Sequence, residues 1–149
     1  MRHESDQARV GDRLIFLGFL LFLIGLLTGF AAPMLANYRM GLSSHLEGVM
    51  NGMVLVLLGL VWPRLQLPRG VLSLAFWLAI YGTFANWFAT LLAAGWGAGA
   101  SMPIAAAGHK GTAIQELVIT FLLYSLSFAM VGESILVLWG LRRKAARGL

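Results

Sequence analysis

Four apolar runs, residues 14–34, 43–62, 71–94 and 112–141, each reach or pass the ~20 residues that cross a ~30 Å hydrocarbon core. In lipid, a single run of this kind satisfies its backbone by coiling into an α-helix. The chain is therefore expected to be all-α, a four-transmembrane-helix bundle forming one integral membrane domain over residues 1–149. Composition agrees, with 59% hydrophobic residues and a mean hydropathy of +0.81, against ~45–50% in soluble domains. The first run is longer than the ~7–15-residue core of a signal peptide and no small-residue cleavage site follows it, so it reads as a retained helix.

The net charge of +5 acquires its meaning from placement. Arg2, Arg9 and Arg13 precede the first run, Arg64 and Arg69 sit between the second and third, and Arg142, Arg143, Lys144 and Arg147 follow the fourth. Only Arg39 and Lys110 fall at the other end. The positive-inside rule then puts both termini in the cytoplasm. The basic residues face a lipid bilayer, with anionic-lipid contact in reach, and nucleic acid is not an expected partner. With no cysteine, disulfides, iron–sulfur clusters and thiolate-held haem are excluded.

Along the chain, residues 1–13 are a polar tail or brief interfacial helix with a solvated His3, and Gly25 and Gly29 have the spacing of a helix-packing motif. Ser43 or Ser44 is the expected cap of the second helix, which Pro63 ends. The glycine-rich segment after residue 95 is either a flexible lid or an ordered connection. Thr112 caps the fourth helix, with Glu116 in its first turns.

Four ionisable residues lie inside the runs: His45, Glu47, Glu116 and Glu133. Each needs a reason, because a charged form costs ~2.5–3.5 kcal/mol or more in lipid. At 1.5 Å per residue, His45, Glu47 and Asn51 fall within ~12 Å of the outer end of the second helix, Asn86 ~12–14 Å into the third, and Gln115 and Glu116 within ~7 Å of the start of the fourth. Glu133, ~30 Å along, falls at the inner interface and is expected to be solvated or Arg-paired.

At about 100° per residue, Glu47 and Asn51 share a face while His45 projects beside Gly48 and Gly52. A histidine next to two absent side chains suits a flat cofactor such as haem b. It equally suits a packing motif in which His45 hydrogen-bonds between helices; the residues alone leave both open. No zinc motif, serine-hydrolase elbow or transporter repeat is present. Trp77, Phe84, Trp87, Phe88, Trp96 and Phe121 are candidates to line a pocket for an aromatic substrate, though each taken singly reads rather as lipid-facing or core.

The segment His45-Leu-Glu-Gly-Val-Met-Asn-Gly-Met53, with Tyr81-Gly-Thr-Phe-Ala-Asn-Trp87, Gly95–Gly99 and Gly111–Glu116, resembles the hydroxylaminobenzene mutases. These small bacterial membrane enzymes convert hydroxylaminobenzene to 2-aminophenol. A more distant likeness is to the styrene oxide isomerases, which bind haem b between subunits of a trimer and rearrange an epoxide to an aldehyde. Their motif is matched by His45, Asn51, Gly52, Met53 and Ala85-Asn86, whereas Thr90 and Gly82 stand where they have a tyrosine and an aspartate.

The resemblance implies an isomerase in the bacterial inner membrane, acting on a small aromatic substrate from nitroaromatic degradation, in a homo-oligomer, a trimer being favoured. It implies haem b on His45 with Gly48 and Gly52 as its wall, and Glu47, Asn51, Asn86 and Glu116 as the catalytic set. Epoxide isomerisation is the alternative. A haem-binding electron-transfer subunit is a second, disfavoured because only His45 offers an axial imidazole within a span.

Overall fold

The protein is seen here as a computed structural model that describes residues 2–147, with side chains described for 6–142. The side chains of Arg2, His3, Arg143, Lys144 and Arg147 lie outside that range. Four long helices form: α1 (Arg2–Ala31), α2 (Tyr38–Val61), α3 (Arg69–Trp96) and, after a four-residue helix α4 (Pro103–Ala106), α5 (Ala113–Arg147). Each long helix contains a stretch long and apolar enough to cross a membrane. The described residues contain no strand.

Proline sets the ends near both tight turns. Pro33 and Pro63 open single 3-10 turns that stop α1 and α2, and Pro68 immediately precedes α3. α3 ends at Gly97, whose φ of 66° is a left-handed conformation that glycine adopts freely, and the Ala98 N–H closes onto the Ala93 carbonyl at 3.0 Å.

The expected cap at Ser43 or Ser44 is corrected. Asn37 caps α2, accepting from the Met40 N–H at 3.1 Å, so the helix begins at Tyr38. Ser44 instead donates across to the Trp87 carbonyl at 3.1 Å. Asn37 also donates to the carbonyls of Ala105 and Ala106, and its own N–H reaches Ala94. One side chain thus cinches the start of α2, the end of α3 and α4. The segment after residue 95 is the ordered connection of the two possibilities, not a free lid.

The helices pack in a row: α1 on α2, α2 on α3, and α3 on α5. The α1–α2 contact is a glycine seam. A Cβ on Gly11 would come within 2.7 Å of the Gly59 carbonyl oxygen, one on Gly18 within 2.7 Å of that of Gly52, and one on Gly25 within 2.6 Å of the Val49 nitrogen. Positions 11, 18 and 25 repeat every seven residues and run antiparallel to 59, 52 and 45. A seven-residue repeat keeps one stripe of a helix against its neighbour. At the third position Gly25 packs on Gly48, and His45, which holds the seven-residue place, reaches the Gly25 carbonyl with its ring.

Candidate active site

Residues from α2 and α3 meet in the layer that the helix arithmetic places in the outer half. Glu47 and Asn51, one turn apart on α2, face α3, and the Asn51 side-chain amide donates to Glu47 Oε2 at 3.1 Å. The Asn86 amide donates to the same oxygen at 2.7 Å from α3. Asn51 is buried, and Glu47 and Asn86 are half-buried. Among the described residues Glu47 Oε1 makes no hydrogen bond.

Around this trio the backbone is held firmly. The Thr90 hydroxyl donates to the carbonyls of Asn86 and Trp87 at 3.0 and 2.9 Å, and the Trp87 indole donates to Thr28 Oγ1 on α1 at 3.1 Å. Glu47 and Thr90 open on a cavity of about 460 Å³ whose further walls include Leu46, Met102, Pro103 and Ile104. That volume lies within the ~300–1,000 Å³ of small-molecule sites. None of the aromatic candidates lines this cavity: its walls are mainly aliphatic, with Arg39 and Ser43 as further polar members. Trp77, Phe88, Trp96 and Phe121 are 64, 46, 40 and 67% exposed, the outward-facing alternative of the sequence reading.

His45 is adjacent in sequence but serves another face. Its Nδ1 lies 2.8 Å from the Gly25 carbonyl oxygen on α1, and a Cβ on Gly29 would sit 2.8 Å from the same ring nitrogen. A carbonyl accepts only from N–H, so the proton is on Nδ1 and the lone pair on Nε2, the arrangement usual for a metal-ligating imidazole. Gly29, read from sequence as packing alone, makes room for this ring.

Gly48 and Gly52 do not form an open wall beside His45. A Cβ on Gly48 would meet Gly25 Cα at 2.6 Å and one on Gly52 the Phe22 nitrogen at 2.6 Å, so α1 fills that groove. Only a backbone edge of Gly52 reaches a shallow apolar groove of about 260 Å³ with Phe19, Phe22 and Met53.

Glu116 stands apart from the trio. Its carboxylate accepts from the backbone N–H groups of Gly99, Ala100 and Gly111 at 3.0, 2.8 and 2.8 Å, tying the α3–α5 connection to the first turn of α5. Thr112 and Gln115 cap α5 reciprocally, the Thr112 N–H on Gln115 Oε1 at 2.8 Å and the Gln115 N–H on Thr112 Oγ1 at 3.4 Å. Glu133 is corrected as well. It is buried, 6% exposed, without an ion pair among the described residues; Ser134 reaches Oε2 at 3.4 Å while Oε1 is buried with no partner.

The model of the styrene oxide isomerase family matches residues 10–142. The chain belongs to the styrene oxide isomerase family. Within it, the chain is 60% identical over 144 residues to hydroxylaminobenzene mutase HabB of Ectopseudomonas oleovorans, covering 96% of this chain and 88% of that one. It is 50% identical over 127 residues to hydroxylaminobenzene mutase HabA of the same organism, covering 85% and 94%. No solved structure matches the chain significantly. It is thus an isomerase of the styrene oxide isomerase family with four helices able to span a membrane.

The structure gives Thr90 and Gly82 distinct settings. Thr90 holds the α3 backbone at the cavity wall with its hydroxyl. Gly82 faces α5, where a Cβ would sit 2.6 Å from Met130 Cγ, so an aspartate there has no room in the present packing.

Proposed function

We propose that this protein is a mutase of the bacterial cytoplasmic membrane that rearranges hydroxylaminobenzene, or a close arylhydroxylamine, to 2-aminophenol. The observation that carries this reading is the Glu47 carboxylate: two amide donors fix one oxygen, the other has no hydrogen-bond partner among the described residues, and the residue lines a mainly aliphatic cavity that Arg39 and Ser43 also line. The chain is also 60% identical to a hydroxylaminobenzene mutase. The reaction is redox-neutral and needs no co-substrate. The N–O bond breaks, a C–O bond forms at the ortho carbon, the ring proton there is lost, and nitrogen takes up a proton, so the formula is unchanged.

Glu47 can serve two proton steps through Oε1, first delivering a proton to the departing oxygen and then accepting one from the ring carbon, while the extra proton on the transferred oxygen passes to nitrogen as the amine forms. Asn51 and Asn86 keep the carboxylate in one orientation across that exchange. Leu46, Met102, Pro103 and Ile104 limit water around an electron-poor ring, which matters because bulk water would trap such a ring by its own addition. Glu116 fixes the connection that carries Met102, Pro103 and Ile104, and so acts on the cavity from outside it.

The family resemblance also implies haem b. His45 would hold the haem iron through Nε2, since Nδ1–H is engaged by the Gly25 carbonyl, while Gly48 and Gly52 do not fit the role of its wall because α1 packs on both. When bound, the haem iron would supply Lewis acidity toward the hydroxylamine oxygen. The row-like packing, in which α5 touches chiefly α3, is consistent with a homo-oligomer, a trimer on the same resemblance.

The experiment is incubation of membranes carrying the protein with hydroxylaminobenzene in ¹⁸O-labelled water, followed by product identification. The expected product is 2-aminophenol without label. Conversion of styrene oxide to an aldehyde, with hydroxylaminobenzene untouched, overturns the substrate assignment. Label in the product overturns the intramolecular transfer.

A further inference from the structure

At the end of the bundle opposite the Glu47 cavity, α1 and α3 flank a second cavity of about 380 Å³ floored by Trp62. Its polar lining comprises Asp6, Gln7 and Arg13 from α1 with Arg69 and Ser73 from α3, and apart from Gln7 none of these has an ion-pair or hydrogen-bond partner among the described residues. Its apolar lining is Val10, Leu72, Phe76 and Trp77. Trp62, Phe76 and Trp77 stack edge to face in sequence, with centroids 6.3 and 5.4 Å apart.

Depth makes the arginines notable. Gln7 donates to the Leu65 carbonyl at 3.0 Å, which levels that point of α1 with the α2–α3 turn. Arg13 lies six residues further on, ~9 Å deeper at 1.5 Å per residue, where the aromatic side chains begin. Arg13 is exposed and stands directly before the apolar run, so its guanidinium lies at the interface, where lipid phosphates are. Trp77, 64% exposed, continues the wall from Arg69 toward the apolar part of α3 by eight residues, or ~12 Å. Cationic groups at the surface, aromatic groups below and an apolar wall beyond reproduce the polarity profile of a glycerophospholipid.

We propose that this cavity binds one anionic phospholipid, its phosphodiester bridging Arg13 and Arg69 and an acyl chain lying along Phe76 and Trp77. Arginine pairs with phosphate through two parallel N–H donors, and basic clefts between transmembrane helices hold anionic headgroups in this way. Two arginines against Asp6 leave a formal +1, which matches a headgroup of net −1 with hydroxyls for Asp6 and Ser73 to engage, as in phosphatidylglycerol. A zwitterionic choline headgroup brings a quaternary ammonium that can neither donate to Asp6 nor escape Arg13.

The full chain in mild detergent is titrated with dioctanoyl phosphatidylglycerol, dioctanoyl phosphatidylcholine or glycerol 3-phosphate at constant ionic strength, reading the unfolding midpoint and the adducts by native mass spectrometry. Phosphatidylglycerol is expected to raise the midpoint saturably with one lipid per chain. Arg13→Gln with Arg69→Gln should weaken it roughly thirtyfold, from about fivefold per basic residue. Ser73→Trp, at an exposed position, should fill the cavity and abolish binding while leaving the lipid-free midpoint in place. Equal effects of the two lipids overturn the proposal, as does unchanged binding by the double variant. Saturation by glycerol 3-phosphate alone makes the cavity a site for soluble phosphate esters and overturns the lipid.

Discussion

Asn86 on α3 donates to Glu47 on α2 at 2.7 Å, on the oxygen that Asn51 also reaches. Two helices therefore share one carboxylate, and the orientation of Glu47 depends on both.

Glu47→Gln should lower kcat by ~10²–10⁴-fold, the usual contribution of a positioned acid–base group, with KM little changed. Asn86→Ala removes one of two donors and should cost less, about tenfold to a hundredfold in kcat. Steady-state kinetics on membranes, with unfolding midpoints to show that both variants fold, checks the order. A larger loss for Asn86→Ala than for Glu47→Gln contradicts the proposed roles.

Glu116 predicts a different signature. Glu116→Ala leaves the N–H groups of Gly99, Ala100 and Gly111 without their acceptor, so the connection over the cavity loosens. KM should rise several-fold with a smaller change in kcat, and protease cleavage within residues 97–112 should accelerate. Unchanged KM and proteolysis would show that the clamp is dispensable.

The glycine seam can be probed against an internal control. Gly52→Ala brings a Cβ within 2.6 Å of backbone on α1, whereas at Gly70 nothing lies within 4 Å. Gly52→Ala should cost ~1–3 kcal/mol as overpacking. Gly70→Ala should be neutral or stabilise by up to ~1 kcal/mol, since alanine suits a helix better. Thermal unfolding in detergent reads both.

Glu133 offers a stabilising change. Its Oε1 is buried with no partner, a situation that costs ~1–3 kcal/mol. Glu133→Leu should raise the unfolding midpoint and leave kcat intact. A loss of activity would instead show that the orphaned oxygen is used.

The spans and the Glu47–Asn51–Asn86 layer were legible in the sequence because both follow from helix geometry: run length for the first, rise and angle per residue for the second. Asn37 was harder to read, since its capping role depends on α4 and the end of α3 arriving beside it, a tertiary event. The same holds for the cavity walls, which come from the α3–α5 connection and not from the aromatic residues of α3. Gly48 and Gly52 were read on α2 alone. The signal for their true role was present in the seven-residue spacing of Gly11, Gly18 and Gly25, but it becomes visible only when the first helix is laid antiparallel to the second.

That seam works as a vernier for one hydrogen bond. Sliding or rolling α1 against α2 is resisted at three graduations, Gly11 on Gly59, Gly18 on Gly52 and Gly25 on Gly48, and beside the third His45 meets the carbonyl of Gly25. The hydrogen bond that orients one imidazole is thereby indexed to the register of two helices along most of their length.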